Sequence, residues 1–139
     1  MSELLRVVID PNVWVSGLIN PYGPPALVIE AVAAGEVTAV VTRHLLDELA
    51  AVLARPKFRR WIAQADATEF VDTLGGEADL RPEPAAVPQR VRDPDDDYLV
   101  ALADAAGATI VTGDHDLLEA DLEPAAITPR DLLRRLGQH

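Results

Sequence analysis

Two short runs of β-branched residues break off at an aspartate, and this pattern constrains the chain most. VVID closes at Asp10, and far downstream TIVTGD closes at Asp114. Runs this short, rich in Val and Ile and bounded by turn residues, read as buried strands. The first is expected over Leu5–Ile9, and VTAVV supplies another. Between the strands lie stretches of helical periodicity. ALVIEAVAAG ends at Gly35, and RHLLDELAAVLA follows Thr42 as a candidate N-cap. KFRRWIA and ATEFVDTL read as two shorter helices, the second broken by Gly75-Gly76. Strands alternating with helices predict an α/β fold with a parallel sheet covered by helices. In such sheets ligands sit beyond the carboxyl ends of the strands, so Asp10 and Asp114 are expected at one edge.

The remainder organises around that frame. NPYGPP is a loop, and the proline-rich RPEPAAVPQ is a surface crossing. A helix opens at DPDDD and runs to about Ala106, Gly107 ends it, and ATIVT is a strand. GDHDLL turns into a short helical piece, and PAAI suggests a last short strand. Thr128-Pro129-Arg130-Asp131 has the form of a capping box with proline at the first helical position, opening a helix through Leu136. At 139 residues and 49% apolar, the chain suits one domain over 1–139 with a real core. The absence of cysteine excludes disulfides and thiolate metal sites. No signal peptide is expected at the N-terminus, and no apolar run approaches the ~20 residues that span a bilayer.

The net charge of −11 argues against passive binding of nucleic acid through bulk charge. An enzyme that meets phosphate through bound cations stays open. Arg55, Lys57, Arg59 and Arg60 form the one tight basic group, either a solvated helix face or a guide for a phosphate backbone.

The acids each have a plain explanation. Asp10 before Pro11 could start a turn, with Asn12 a turn residue or a polar anchor. Leu45, Glu48, Leu49 and Val52 share helical spacing, which sets Glu48 on the flank of an apolar stripe and Asp47 away from it. In DPDDD, Asp93 suits an N-cap and Pro94 the first helical position. Acids in a first turn favour the helix dipole by a few tenths to ~1 kcal/mol each. Four acids in five residues exceed that need. At ~4 Å and an effective dielectric of ~20, each like-charged pair costs about 4 kcal/mol before exposure weakens it. Converged carboxylates must repel, protonate or hold a cation. Mg²⁺ takes one or two carboxylates together with waters and substrate phosphate. No phosphate-cradling G-x-x-x-x-G-K-S/T and no G-x-S-x-G occurs. The histidines are His44, His115 and His139, without H-E-x-x-H, so histidine-based zinc chemistry has no support.

VVIDPNVWVSGL, TRHLLDELAAVLARPKF and RDPDDDYLVALADAAGATIVTGDHDLL, in this order and at these separations, resemble the PIN-domain nucleases. More closely they resemble the VapC-like toxins of toxin–antitoxin pairs. The resemblance covers nearly the whole chain. It implies a three-layer fold, a central parallel sheet flanked by helices, and a metal-dependent endoribonuclease using Mg²⁺ or Mn²⁺. By that resemblance the first acid is Asp10 and the helix glutamate is Glu48. Counting back from Gly107 and Thr112 places the third acid at Asp96, with Asp97 as second choice. The fourth is Asp114, with Asp116 a close competitor as metal ligand. Asn12 and Thr112 match polar positions near the site, and Pro11 stands where a small hydroxyl residue is common. The resemblance also implies an RNA substrate, a small antitoxin partner, a homodimer and a cytoplasmic setting. The reaction it implies is phosphodiester hydrolysis leaving 5′-phosphate and 3′-hydroxyl ends. Three rivals stay open: a DNA nuclease of the same chemistry, a non-catalytic partner-binding relative, and a phospho-receiver module. The last needs a lysine opposite the acids, and Lys57, the only lysine, sits in another context.

Overall fold

The computed structural model describes residues 4–137; the expectations for residues 1–3 and for His139 lie outside the described residues. VVI forms the end of strand β1 (Arg6–Ile9), fully buried as its uniform apolar run requires. β1 pairs in parallel with β2 (Thr38–Val41) on one side and with β4 (Thr109–Val111) on the other. A two-residue strand, β3 (Asp79–Leu80), adds a parallel edge beside β2, giving the order β3-β2-β1-β4. The expected last strand at PAAI shrinks to one parallel bridge between Val111 and Ile127.

Seven helices accompany the described strands: α1 (Pro11–Ile19), α2 (Pro24–Ala33), α3 (Arg43–Leu53), α4 (Gln64–Glu77), α5 (Asp97–Ala106), α6 (His115–Glu119) and α7 (Pro129–Arg135). The chain steps one way through β1, β2 and β3, then jumps back across the sheet to β4. Right-handed crossovers therefore send the helices before β3 to one face and α5 to the other. The contacts agree: α1 touches α2 and α3, α3 touches α4, and α5 packs on β1 and β4. The strand order reverses at the β1/β4 boundary, where α/β sheets open a crevice at the carboxyl ends.

Several local expectations hold. Thr42 caps α3 by accepting from Leu45 N–H at 3.2 Å. Thr128 and Asp131 form a reciprocal capping box with Pro129 at the first helical position. Gly107 ends α5 at φ 62°, a left-handed turn that suits glycine. Others are corrected. Where Asp10-Pro11 could have started a turn, Asp10 instead caps helix α1, PNVWVSGLI, in which Pro11 needs no N–H at the first position. Gly17 lets α1 approach α2: a Cβ there would meet the Pro25 carbonyl oxygen at 2.8 Å. Helix α4 runs through Gly75-Gly76 rather than breaking there. A Cβ at Gly75 would lie 3.2 Å from Leu46 of α3, so close helix–helix packing favours a glycine at this position. KFRRWIA is not an α-helix; Pro56–Arg60 is a 3₁₀ turn that buries Phe58. No helix among the described residues is long and apolar enough to cross a membrane.

Candidate active site

Asp10 follows β1 directly and is only 4% exposed. Its backbone N–H extends the sheet by donating to the Val111 carbonyl. Its carboxylate is held at both oxygens: Oδ1 accepts from Asn12 N–H at 2.9 Å, and Oδ2 accepts from the Thr112 hydroxyl at 2.8 Å. Thr112 leaves β4 at the same edge, fully buried, and its hydroxyl also accepts from Asp114 N–H at 3.0 Å. One hydroxyl thus ties the ends of two strands together and sets two carboxylates facing one space. Asp114 in turn caps α6 by accepting from Asp116 N–H.

DPDDD resolves into four separate fates. Asp93 caps the 3₁₀ turn Pro94–Asp96, as an N-cap should. Asp95 is exposed. Asp96 turns inward: burial first, then the charges of Asp10, Asp114 and Asp93, push its carboxyl up to about 7. Asp97 begins α5 and points elsewhere, with its Oδ1 accepting from Arg90 N–H at 2.8 Å and Val91 N–H at 3.0 Å. It is as buried as Asp10, but it anchors the loop at Arg90 and Val91. The change from 3₁₀ to α winding between the two residues separates their directions.

Asp10 is also pushed up, chiefly by burial and then by Asp114, while its hydrogen bonds from Asn12 and Thr112 pull the other way. Glu48, on α3, acts on Tyr98 rather than on the acids directly. The Tyr98 hydroxyl is raised by burial and then by the charges of Glu48, Asp10 and Asp96. Glu48 is half exposed and lies 4.0 Å from His44 Nε2, and the His44 ring meets Tyr98 edge-on at 4.3 Å. The structure therefore brings Asp10, Asp96 and Asp114 together, with the Asn12 N–H and Thr112 supporting Asp10, while Glu48 lies on the Tyr98 side, next to His44. Asp116 instead faces a shallow depression beside Arg90 and Arg92.

The basic group lies beyond the C-terminal end of α3, roughly 20 Å along the helix from Thr42 at 1.5 Å per residue. Arg59 folds back to donate to the Leu53 carbonyl, which closes α3, so it is not a free cation. Lys57 rests over Phe58 and Arg60 over Trp61. Two residues at the acidic edge carry no motif of their own, Tyr98 and Arg130. Their only sequence marks are Tyr98's place two residues after Asp96 and Arg130's place inside the capping box.

This fold has known counterparts. Residues 6–116 match the PIN domain family. The chain is a PIN-domain protein. PIN domains are nucleases, and in general they use divalent metals. This PIN domain is 28% identical over 114 residues to the uncharacterized protein MJ1680 of Methanocaldococcus jannaschii, covering 82% of this chain and 74% of that one. Its fold is similar to that of PAE2754 from Pyrobaculum aerophilum, with a TM-score of 0.66 at 16% identity over 96% of this chain and 90% of that one. It is similar also to VapBC2 from Rickettsia felis bound to a DNA fragment from their promoter, with a TM-score of 0.63 at 13% identity, covering 88% and 97%. The third is FitAB bound to the IR36 DNA fragment, with a TM-score of 0.57 at 17% identity, covering 88% and 94%.

The donor set suits a hard divalent cation in charge and in atom type: all oxygen, with like charges facing one another. Among the described residues, no three His, Cys, Asp or Glu side chains are arranged as a ready-made metal cage. An ion that keeps several waters, as Mg²⁺ does, fits such an open set better than one needing a full protein shell.

Proposed function

We propose that this PIN domain is a divalent-metal-dependent endoribonuclease and the toxin of a type II toxin–antitoxin pair. The observation that supports this reading best is the meeting of Asp10, Asp96 and Asp114 at the β1/β4 switch point. Carboxylates brought together at a cost in repulsion are better explained by a bound cation than by capping. Asp10, Asp96 and Asp114 would hold Mg²⁺ or Mn²⁺, with Glu48 on the more exposed side. When bound, the metal supplies Lewis-acid stabilisation of the charge on phosphoryl oxygens and activates water for in-line displacement. The chain's own part is to fix geometry. Thr112 and the Asn12 N–H orient Asp10, Thr112 orients the Asp114 backbone, and Asp96 gives up its proton near neutrality to complete the negative pocket. The products would carry 5′-phosphate and 3′-hydroxyl ends.

The likeness to VapBC2 and FitAB supports a small antitoxin partner. A homodimer and a cytoplasmic setting belong to the same proposal. Arg55, Lys57 and Arg60 remain candidates for a distant part of the RNA, whereas Arg59 serves α3. The decisive test incubates partner-free protein with single-stranded RNA and Mn²⁺, alongside Asp10→Asn and Asp96→Asn. Wild type should cleave, and both variants should lose activity by about a hundredfold or more. Equal cleavage by all three would sink the assignment. A matched single-stranded DNA arm decides the substrate, since metal-assisted hydrolysis needs no 2′-hydroxyl.

A further inference from the structure

Beside the acids runs a cleft of about 770 Å³, reached from Asp10 and Asp114 and bounded at its far side by Arg130. Arg130 is the only cation among the described residues lining it. Arg130 is exposed, and among the described residues no carboxylate stands within ion-pairing distance of it. Four of the ten other arginines pair with an acid: Arg43 with Asp47, Arg81 with Asp79, Arg90 with Asp104, and Arg134 with Asp131.

The backbone that carries Arg130 is unusually well fixed to the acidic site. Thr112, whose hydroxyl holds Asp10, donates its N–H to the Ile127 carbonyl at 2.9 Å. Ile127 N–H donates to the Ile110 carbonyl at 2.9 Å, so residue 127 is clamped against β4 from both sides. The next residue, Thr128, closes the capping box with Asp131, and Pro129 is buried. Three residues thus carry the chain from the Thr112 hub to Arg130 with little freedom. Pro25 and Pro129 add apolar wall to the same cleft. A cation carried on a fixed backbone beside the acids is placed to meet the backbone of a single strand without sequence readout.

We infer that Arg130 is a substrate-positioning residue that binds a backbone phosphate of the RNA adjacent to the one placed at the acids. This rests on the nuclease reading of the same site. On a chain of net charge −11, a lone unpaired cation on the cleft is where a polyanion gains most.

The test measures KM and kcat for single-stranded RNA with Mn²⁺ for wild type, Arg130→Ala, Arg130→Lys and Arg135→Ala. It also measures the salt dependence of uncleaved RNA binding in an Asp10→Asn background. Arg135 lies on the same short helix, is exposed and does not line the cleft, so its removal controls for bulk charge. Arg130→Ala should raise KM about tenfold, with kcat changed much less, the pattern of lost uniform binding. The slope of log affinity against log salt should fall by about 0.7, the value for one phosphate contact on a single strand. Arg130→Lys should recover most of the loss, and Arg135→Ala should match wild type. Wild-type KM and slope in Arg130→Ala, or an equal loss in Arg135→Ala, would overturn the inference while leaving the nuclease reading intact. A wild type that cleaves and binds no RNA would instead overturn the reading beneath it, and the inference with it.

Discussion

The acidic edge of the sheet and the basic turn after α3 treat like charges in opposite ways. At the turn three of the four cations have a local partner: Arg59 closes α3 on the Leu53 carbonyl, Lys57 lies over Phe58 and Arg60 over Trp61. At the edge Asp10, Asp96 and Asp114 face one another, and two of them are pushed toward protonation. The same contrast recurs within one dipeptide, where Asp97 is satisfied by two backbone N–H groups and Asp96 is left against other acids. A charge with a local partner explains itself as structure. A group of charges held together against repulsion calls for a ligand of opposite sign, and this marks a functional region better than burial does.

The largest effect should come from crossing the comparison. Asp10→Asn should lower RNA cleavage by about two orders of magnitude or more, while Arg59→Ala, at the basic turn, should alter it only slightly. Initial rates on a labelled single strand measure both. Comparable losses in the two would erase the distinction between the regions.

Next is Asp97→Ala, which strands the N–H groups of Arg90 and Val91. It should destabilise the fold by about 2 kcal/mol or more, read by urea unfolding, while the folded fraction keeps its cleavage activity. Loss of cleavage with unchanged stability would move Asp97 into the site.

A smaller effect separates repulsion from packing. The Asp96 carboxyl sits at about 7 in the folded chain against an ordinary 3.8. Between those values the unfolded chain has released the proton that the folded chain still binds. Metal-free stability should therefore fall as pH rises from about 4 to 7, and the penalty is constant above that. Asp96→Asn should consequently melt a few degrees higher than wild type at pH 8 and equally at pH 4, by calorimetry without metal. A lower melting point at pH 8 would show that the ionised carboxylate stabilises the fold. The smallest change is Arg59→Ala: the loss of the contact to Leu53 is partly offset by freeing guanidinium nitrogens that are buried without partners. The cost should be about 1 kcal/mol, with RNA binding unaltered.

Local chemistry made much of this visible in the sequence. A β-branched run stopping at Asp10, a Thr42 cap and the Thr128–Asp131 box each depend on a few neighbouring residues, and each stands where the residues predict. The parallel sheet followed from alternation alone. What escaped depends on distant packing. Helix α1 holds Val13, Val15 and Gly17, poor helix formers that become helical because Asp10 caps them and α2 packs on Gly17. Helix α4 passes two glycines because α3 presses against one of them. The choice between Asp96 and Asp97 turns on where 3₁₀ winding gives way to α, a phase that no spacing rule supplies. Arg130 was visible only as part of a capping box, since its relation to the acids runs through Ile127 and Thr112.

The central claim is that Asp96, and not its neighbour, belongs to a cation-holding pocket. Calorimetric titration of Mn²⁺ at pH 7.5 into wild type, Asp96→Asn and Asp97→Asn tests it with a matched loss of one charge. Binding should weaken at least about tenfold in Asp96→Asn and stay near wild type in Asp97→Asn. Equal affinity in wild type and Asp96→Asn, or a loss confined to Asp97→Asn, would contradict it.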